Sequence, residues 1–448
     1  MTKKIFILPS VTDLNRGDQA LVWESINVVK DIYENASFYL FESGNSPEDT
    51  HLQTRQTTAL GYKTVPRILK HPGRINRKKQ HKSVRYSVGD YFLWGMQAVA
   101  DLFVTFLLLI PFSPLNALGK VFLSKGQKNT LEAFKSCDAV FVKGGGFIHT
   151  YGKITDIYLI YFSLYYMLLA IRYKKKIIVL PNSIGPLKGF LPRQIIRFAL
   201  KRCALVTVRE NVSGDCVKKE INLNTYLFPD LGFYLQPSET NFNDYLKAKG
   251  IPLGEKKIIG ITLRPYRFPN SPDPQKRYES YVTELAQFVE YLVKKDLHVV
   301  FSAHTLGPSS HEDDRIALKD VMFKLSETTK NHTTYLEDAE LDCRDLTSIY
   351  SHFDVMVGTR FHSVIFALNV EVPSVAIAYG GNKSFGIMKD LGLDEFVFPI
   401  EEVKAVDLVT SVATILEGKE QYVQKIRKHR NQLNKDRATL INLISTKL

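Results

Sequence analysis

The sequence predicts an α/β protein built from two Rossmann-like, doubly wound domains. Three observations carry this. Short runs of β-branched and aromatic residues recur along the chain, each closed by a Gly, Pro or polar turn and followed by a helical stretch. Most of these runs are continuously apolar rather than alternating, as expected of parallel strands covered by helices on both faces. The strand–loop–helix alternation occurs twice in 448 residues, a length that itself favours two or three domains.

In the first half the predicted strands are Lys4–Leu8, Ser37–Phe41, Asp138–Val142, Ile177–Leu180 and Leu205–Val208. In the second they are Ile258–Leu263, His298–Ser302, Val355–Val357 and Ser374–Ala378. A polar, turn-rich stretch beginning Gln236-Pro237-Ser238 places the boundary near 236–256, giving domains 1–240 and 241–448. The segment 46–125 reads as an insertion in the first domain, irregular and basic over 46–90 and apolar over 91–118. The end of the chain, 415–448, reads as a basic helical tail.

Composition excludes several classes. With 45% hydrophobic and 23% charged residues the chain is neither disordered nor of low complexity. The net charge of +13 is concentrated: nine Lys/Arg and no Asp or Glu lie in Lys63–Arg85, and without them 50 cations face 46 anions. Cys137, Cys203, Cys216 and Cys343 are too scattered for a zinc site and read as reduced core thiols, which points to the cytosol. The apolar run before Pro9 is shorter than the ~7–15 residues of a signal peptide's core and reads as a first strand. Ile157–Ile171, with four tyrosines, reads as a buried helix.

In doubly wound sheets ligands sit beyond the carboxyl ends of the strands, so the residues just past each strand matter most. These are Asn15-Arg16-Gly17-Asp18, Lys143-Gly144-Gly145-Gly146 with His149, Pro181-Asn182-Ser183, Arg209-Glu210 with Asp230 beyond, Arg264, Thr359-Arg360-Phe361-His362-Ser363, and Lys383. The triple glycine is neither a Rossmann G-x-G-x-x-G nor a P-loop. It allows close backbone approach or positive φ, and is compatible with plain topology as well as with a site. Arg360 and His362 fall at the start of a predicted helix, where free N–H groups favour an anion. Arg adds a fork for carboxylate or phosphate, and His a proton mobile near neutrality. With Arg209, Arg264 and Lys383 they suggest a small substrate carrying more than one negative group, bound between the domains. Asp18, Asp230 and His149 are candidates to bond or deprotonate a hydroxyl, although Asp18 also suits the cap of a helix beginning near Gln19. No metal-ligand spacing is present, and no metal or cofactor is expected.

At these residues the chain resembles the polysaccharide pyruvyltransferases. The matching pieces are Asn15-Arg16-Gly17-Asp18, Gly144-Gly145-Gly146-Phe147, Asn182-Ser183-Ile184-Gly185-Pro186, Arg209-Glu210 with Ser213, Ile261-Thr262-Leu263-Arg264, Gly358-Thr359-Arg360-Phe361-His362-Ser363 and Lys383-Ser384-Phe385-Gly386-Ile387-Met388. The resemblance implies a GT-B-like pair of domains. It also implies transfer of pyruvate from phosphoenolpyruvate (PEP), as co-substrate, onto two sugar hydroxyls as a cyclic ketal. On it, Arg209, Arg360 and His362 hold the donor; together with the strand-end reading the expected donor contacts are Arg209, Arg360, His362, Lys383, Arg264 and Ser183. The acceptor contacts are Asn15, Asp18, Gly145, Gly146, His149 and Asp230. His362 serves as acid or anion contact, with Asp18 or His149 as base.

A sugar-nucleotide-dependent glycosyltransferase is the alternative on the same fold. Nucleic-acid binding is disfavoured, since no aromatic is interleaved in 63–85. The basic run followed by the apolar segment 91–118 instead supplies charge attraction and apolar insertion, so 63–118 is expected to dock at a membrane surface. That places the enzyme at the cytoplasmic face of the plasma membrane, with an undecaprenyl-diphosphate-linked sugar as acceptor. A surface-docking or buried helical hairpin suits 91–118 better than a span, because Pro111 and Pro114 interrupt it.

Overall fold

The computed structural model describes residues 2–73, 87–380 and 383–448. The chain divides into two compact units. The first comprises residues 1–13, 21–231 and 435–448, and the second 14–20 and 232–434.

The first unit contains β1 (Lys3–Leu8), β2 (Ala36–Phe41), β3 (Lys63–Val65), β4 (Ala139–Val142), β5 (Ile148–Tyr151), β6 (Lys176–Asn182), β7 (Ile184–Lys188), β8 (Leu205–Val208) and β9 (Tyr226–Leu227). Seven of these form one parallel sheet in the order β3-β2-β1-β4-β6-β8-β9, and β5 pairs with β7 in a small sheet of its own. Every residue of β4 and β8 is buried, which is why these runs carry no alternation. Phe6, Phe41, Phe134 and Tyr166 pack as an aromatic cluster in this core.

The second unit contains β10 (Ile258–Thr262), β11 (His298–Ser302), β12 (Thr333–Leu336), β13 (Val355–Gly358), β14 (Ser374–Ala378) and β15 (Val397–Pro399). They form a parallel sheet in the order β12-β11-β10-β13-β14-β15. Strands β10, β11, β13 and β14 are buried throughout.

Both sheets reverse their winding direction beside their first strand, between β1 and β4 and between β10 and β13. Such switch points open a crevice at the carboxyl ends of the strands. The chain leaves β4 into Lys143–Gly146, β10 into Arg264, and β13 into Thr359–His362.

The nine expected strands are all present. The unexpected ones are the edge strands β3, β9, β12 and β15 and the β5–β7 pair. The reading of 46–90 as irregular is corrected in part. Pro47–Ala59 is a helix capped by Ser46, and β3 follows it, so both continue the regular alternation. This helix buries Asp49, Gln53, Thr54 and Thr57 rather than an apolar stripe, so it leaves no periodic signal. Thr57 donates to Asp13 and accepts from Trp23 Nε1 at 3.0 Å. Residues 74–86, most of the basic run, lie outside the described residues.

The buried helix expected over Ile157–Ile171 is Asp156–Arg172. The segment 91–118 forms Val88–Leu109 and Ser113–Val121, two helices exposed on one side. Among the described residues no cysteine forms a disulfide, and burial pushes the Cys137 and Cys203 thiols up to about 12.

Candidate active site

In the first unit the site residues gather around Arg209. Its side chain is nearly inaccessible and is held by two groups: Nη1 donates to Asp230 at 2.5 Å, and Nε donates to Ser183 Oγ at 2.7 Å. Ser183 Oγ donates onward to Glu210 Oε2 at 2.9 Å, and Ser213 donates to the other oxygen of Glu210. Asp230 is thus engaged through Oδ2 as the counter-ion of Arg209. A buried guanidinium requires such a partner, because unpaired it would cost several kcal/mol, about 3–5 by the effect of removing one member of such pairs.

Gly146 lies beside Arg209: a β-carbon there would meet Nη2 at 3.7 Å. None of Gly144, Gly145 and Gly146 adopts a positive φ, which removes one of the two reasons for glycine offered by the sequence. Close approach is the reason at Gly144, where a β-carbon would stand 2.9 Å from the carbonyl oxygen of Pro181. His149 is exposed on β5, and its Nδ1 lies 2.8 Å from the carbonyl of Gly146. A carbonyl only accepts, so Nδ1 carries the hydrogen and the neutral ring presents Nε2 as a base.

In the second unit the helix Arg16–Ile32 begins against the loops that follow β11 and β13. Asn15, not Asp18, caps it: Asn15 Oδ1 accepts from the amides of Gly17 and Asp18, while its Nδ2 donates to Asp18 Oδ2 at 2.9 Å. Arg16 is buried and donates to the Ala339 carbonyl at 3.1 Å. Gly17 meets His362. A β-carbon at residue 17 would lie 2.1 Å from Nδ1 of that ring, so only glycine admits the imidazole.

His362 Nε2 is 3.1 Å from Lys383 Nζ. With Lys383 as an ammonium, Nζ donates and Nε2 accepts, which sets the amine and the imidazole within hydrogen-bond reach of each other. Arg264 stacks its guanidinium 4.2 Å from the ring centre of Tyr379. Arg360 is pinned from below: Nε donates to Asp314 Oδ1 at 2.8 Å and Nη2 to the Glu312 carbonyl at 2.9 Å. Burial pushes the Asp314 carboxyl up to about 6, although Arg360 pulls the other way. Asp314 also accepts from the amides of His304 and Thr305, which ties the loop after β11 to Arg360.

The structure therefore brings Ser183, Arg209, Asp230, Gly145, Gly146 and His149 into one neighbourhood of the first unit. Asn15, Asp18, Arg360, His362, Lys383 and Arg264 belong to the second. The sequence reading missed Asp314 and His304. His304 is buried, both its ring nitrogens lack a hydrogen-bond partner, and its ring packs 5.0 Å from that of Phe366. It stands just past strand β11, the position that singled out the other candidates. Among the described residues no group of His, Cys, Asp or Glu is arranged to hold a metal ion.

Comparison with known proteins fits this geometry. The family described as polysaccharide pyruvyl transferase matches residues 15–381, a span that contains every site residue above except Lys383. The chain belongs to that family. The amylovoran biosynthesis protein AmsJ of Erwinia amylovora is 24% identical over 440 residues, covering 94% of each chain. Among solved structures, TcCGT1 in complex with UDP matches with a TM-score of 0.55 at 12% identity, covering all of both chains. The UDP-GlcNAc 2-epimerase of Neisseria meningitidis bound to UDP-GlcNAc matches with a TM-score of 0.50 at 11% identity over 99% of each. These likenesses establish the fold as two Rossmann-like domains of the GT-B type. This polysaccharide pyruvyltransferase shares that fold with proteins of other chemistry, so its activity has to be argued from its residues.

Proposed function

We propose that this pyruvyltransferase moves pyruvate from PEP onto two hydroxyls of one sugar, forming a cyclic ketal and releasing inorganic phosphate. The observation that carries the reading is the hydrogen-bonded His362–Lys383 pair, which stands, like Arg264 and Arg360, past the carboxyl ends of strands of the second sheet. PEP is a small polyanion whose methylene carbon must gain a proton, and this cluster offers cations and a proton together.

One sugar hydroxyl adds to C2 of PEP while C3 takes a proton from the His362–Lys383 pair, becoming a methyl group. The C2–O bond to phosphate then breaks and phosphate leaves with the bonding electrons. The second hydroxyl adds to C2 and gives up its proton, which closes the ring. Of the two hydroxyl protons, one ends on the methyl group and the other on phosphate. No electron is gained or lost overall.

Arg360 and Arg264 attract the donor's anionic groups. His149, with Nε2 presented, and Asp18 are the candidate bases for the acceptor. In the first unit Arg209 and Ser183 are further proposed donor contacts and the Gly145–Gly146 turn a proposed acceptor contact; in the second unit Asn15 is a proposed acceptor contact.

Incubation with PEP and model galactosides tests the reading. Phosphate should appear in step with a mass gain of one ketal, and His362→Ala should abolish both while leaving the fold intact. Nucleotide release from a sugar nucleotide, with no phosphate from PEP, would overturn it.

A further inference from the structure

Thirteen of the twenty-eight large apolar side chains exposed among the described residues fall within Val88–Phe122. They are not scattered, because both helices of this segment turn an apolar side outward, where a surface helix carries polar groups. On Val88–Leu109 the inward side mixes polar groups with Leu102, Val104, Leu107, Leu108 and Leu109. Asp90 closes a capping box with Ser87, Asp101 accepts from Gln97, and buried Thr105 accepts from Tyr161 Oη at 2.9 Å. The outward side carries Phe92, Met96, Val99, Phe103 and Phe106, each at least half exposed.

Ser113–Val121 repeats the arrangement. Its buried residues are Asn116, which donates to the Leu108 carbonyl at 2.9 Å, and Gly119, which lets the helix close on Leu107. Its exposed residues include Leu115, Leu118 and Val121. A helix on the surface of a domain in water has the opposite polarity, and a patch of this extent marks a contact surface.

The charge around the patch identifies what covers it. The residues immediately before it in sequence, 74–86, contain six Lys/Arg and no Asp or Glu, and exposed Lys125 and Lys128 follow it. The two acids of the long helix, Asp90 and Asp101, are engaged with Ser87 and Gln97. Pairing two copies of this face would bring like charge to like charge. An apolar surface flanked in sequence by cations suits a bilayer bearing anionic headgroups.

We infer that this face docks on an anionic lipid surface, with its phenylalanines in the headgroup–acyl boundary and the cations at the phosphates. It lies on the bilayer rather than crossing it, because the same helix is bonded through Thr105 to Tyr161 and buries Leu107 and Leu108 in the domain. The inference stands independently of the reaction proposed above, since none of these residues belongs to the site.

The test is co-sedimentation of the full chain with vesicles of phosphatidylcholine alone or mixed with phosphatidylglycerol. The chain should sediment with the mixed vesicles, and added salt should release it. Phe103→Gln with Phe106→Gln should weaken partitioning at least about tenfold. Changing Arg77, Lys78, Lys79 and Lys82 to Gln should weaken it roughly fivefold per cation on mixed vesicles only. All variants should keep the circular dichroism of the parent and its turnover of a soluble acceptor. The inference fails if the chain stays in the supernatant with mixed vesicles, or if the phenylalanine pair can be replaced without loss of binding. It fails equally if the chain dimerises through this face, becoming monomeric in the Phe103→Gln, Phe106→Gln variant without ever binding lipid.

Discussion

The imidazole of His362 occupies the space that a side chain at residue 17 would need: a β-carbon on Gly17 would stand 2.1 Å from Nδ1 and 2.7 Å from Cβ of the histidine. The ring must therefore move if anything replaces that glycine, and its Nε2 contact with Lys383 moves with it. Gly17→Ala is expected to lower kcat by about a hundredfold, the cost of misplacing a reacting group by about 1 Å. Stability should fall by about 1–3 kcal/mol, the cost of overpacking, and by no more than that, because Gly17 has an ordinary helical φ and alanine suits the first turn. Near-parental turnover with a well-folded Gly17→Ala protein would remove His362 from the mechanism.

The Arg209–Asp230 pair predicts a stability effect that ordinary surface pairs lack. Both side chains are essentially inaccessible. Asp230→Ala strands a buried guanidinium and should cost about 3–5 kcal/mol in urea unfolding. Replacing both residues with apolar ones of similar volume should recover most of that loss while abolishing pyruvyl transfer. If Asp230→Ala unfolds at the parental urea concentration, the pair is not the buried unit described here.

Much of this was legible in the sequence, for a physical reason. Strands such as Ala139–Val142 and Val355–Gly358 are buried on both faces, so their apolar runs are unbroken and stand out. The Gly358–Ser363 segment was equally visible, because a turn rich in Arg and His directly after such a strand has few other uses. Pro47–Ala59 was not visible, because its buried face is Asp, Gln and Thr whose partners are Asp13 and Trp23, far away in sequence. Nor could spacing show that Asp230 pairs with Arg209, or that Asp314, 46 residues before Arg360, anchors that arginine.

The buried histidines predict how stability depends on pH. Burial, reinforced by Arg360, Arg16 and Lys383, holds the His304 pKa well below its ordinary value, and burial holds His298 and His311 down to about 4. Each is neutral when folded and free to protonate when unfolded. Below about pH 6.5 the unfolded chain therefore binds more protons, and stability falls as pH drops from there toward 4. Asp314, raised to about 6, acts in the opposite sense, since the folded state takes up its proton first. Glu24, Glu42 and Asp345, also raised by burial, act with Asp314, and His352, lowered by burial, acts with the other histidines. The histidines have the higher unfolded value, about 6.5, and so respond first as pH drops, and the melting temperature should fall between pH 7 and pH 5. His304→Phe should make that fall shallower. A melting temperature that is flat over the same range would contradict these burials.

The end of the chain gives the last prediction. Residues 435–448 group with the first unit, where Leu440 and Ile444 are fully buried. Arg437 reaches Asp31 at 2.7 Å and Glu24 at 3.3 Å. Glu24 is itself buried, and burial raises its pKa while Arg437 draws it back down. Leu440→Ala should cost about 2–5 kcal/mol, as a cavity in a packed core does. Arg437→Met should cost a pH-dependent amount. Without the guanidinium the Glu24 pKa climbs further, so near pH 8 the folded state must bury an unpaired carboxylate, whereas near pH 5 it can hold the neutral acid. The loss measured by urea unfolding should therefore be larger at pH 8 than at pH 5. A loss that is equal at both, or larger in acid, would mean that Arg437 stabilises the helix through its aliphatic stem rather than through the charge of Glu24.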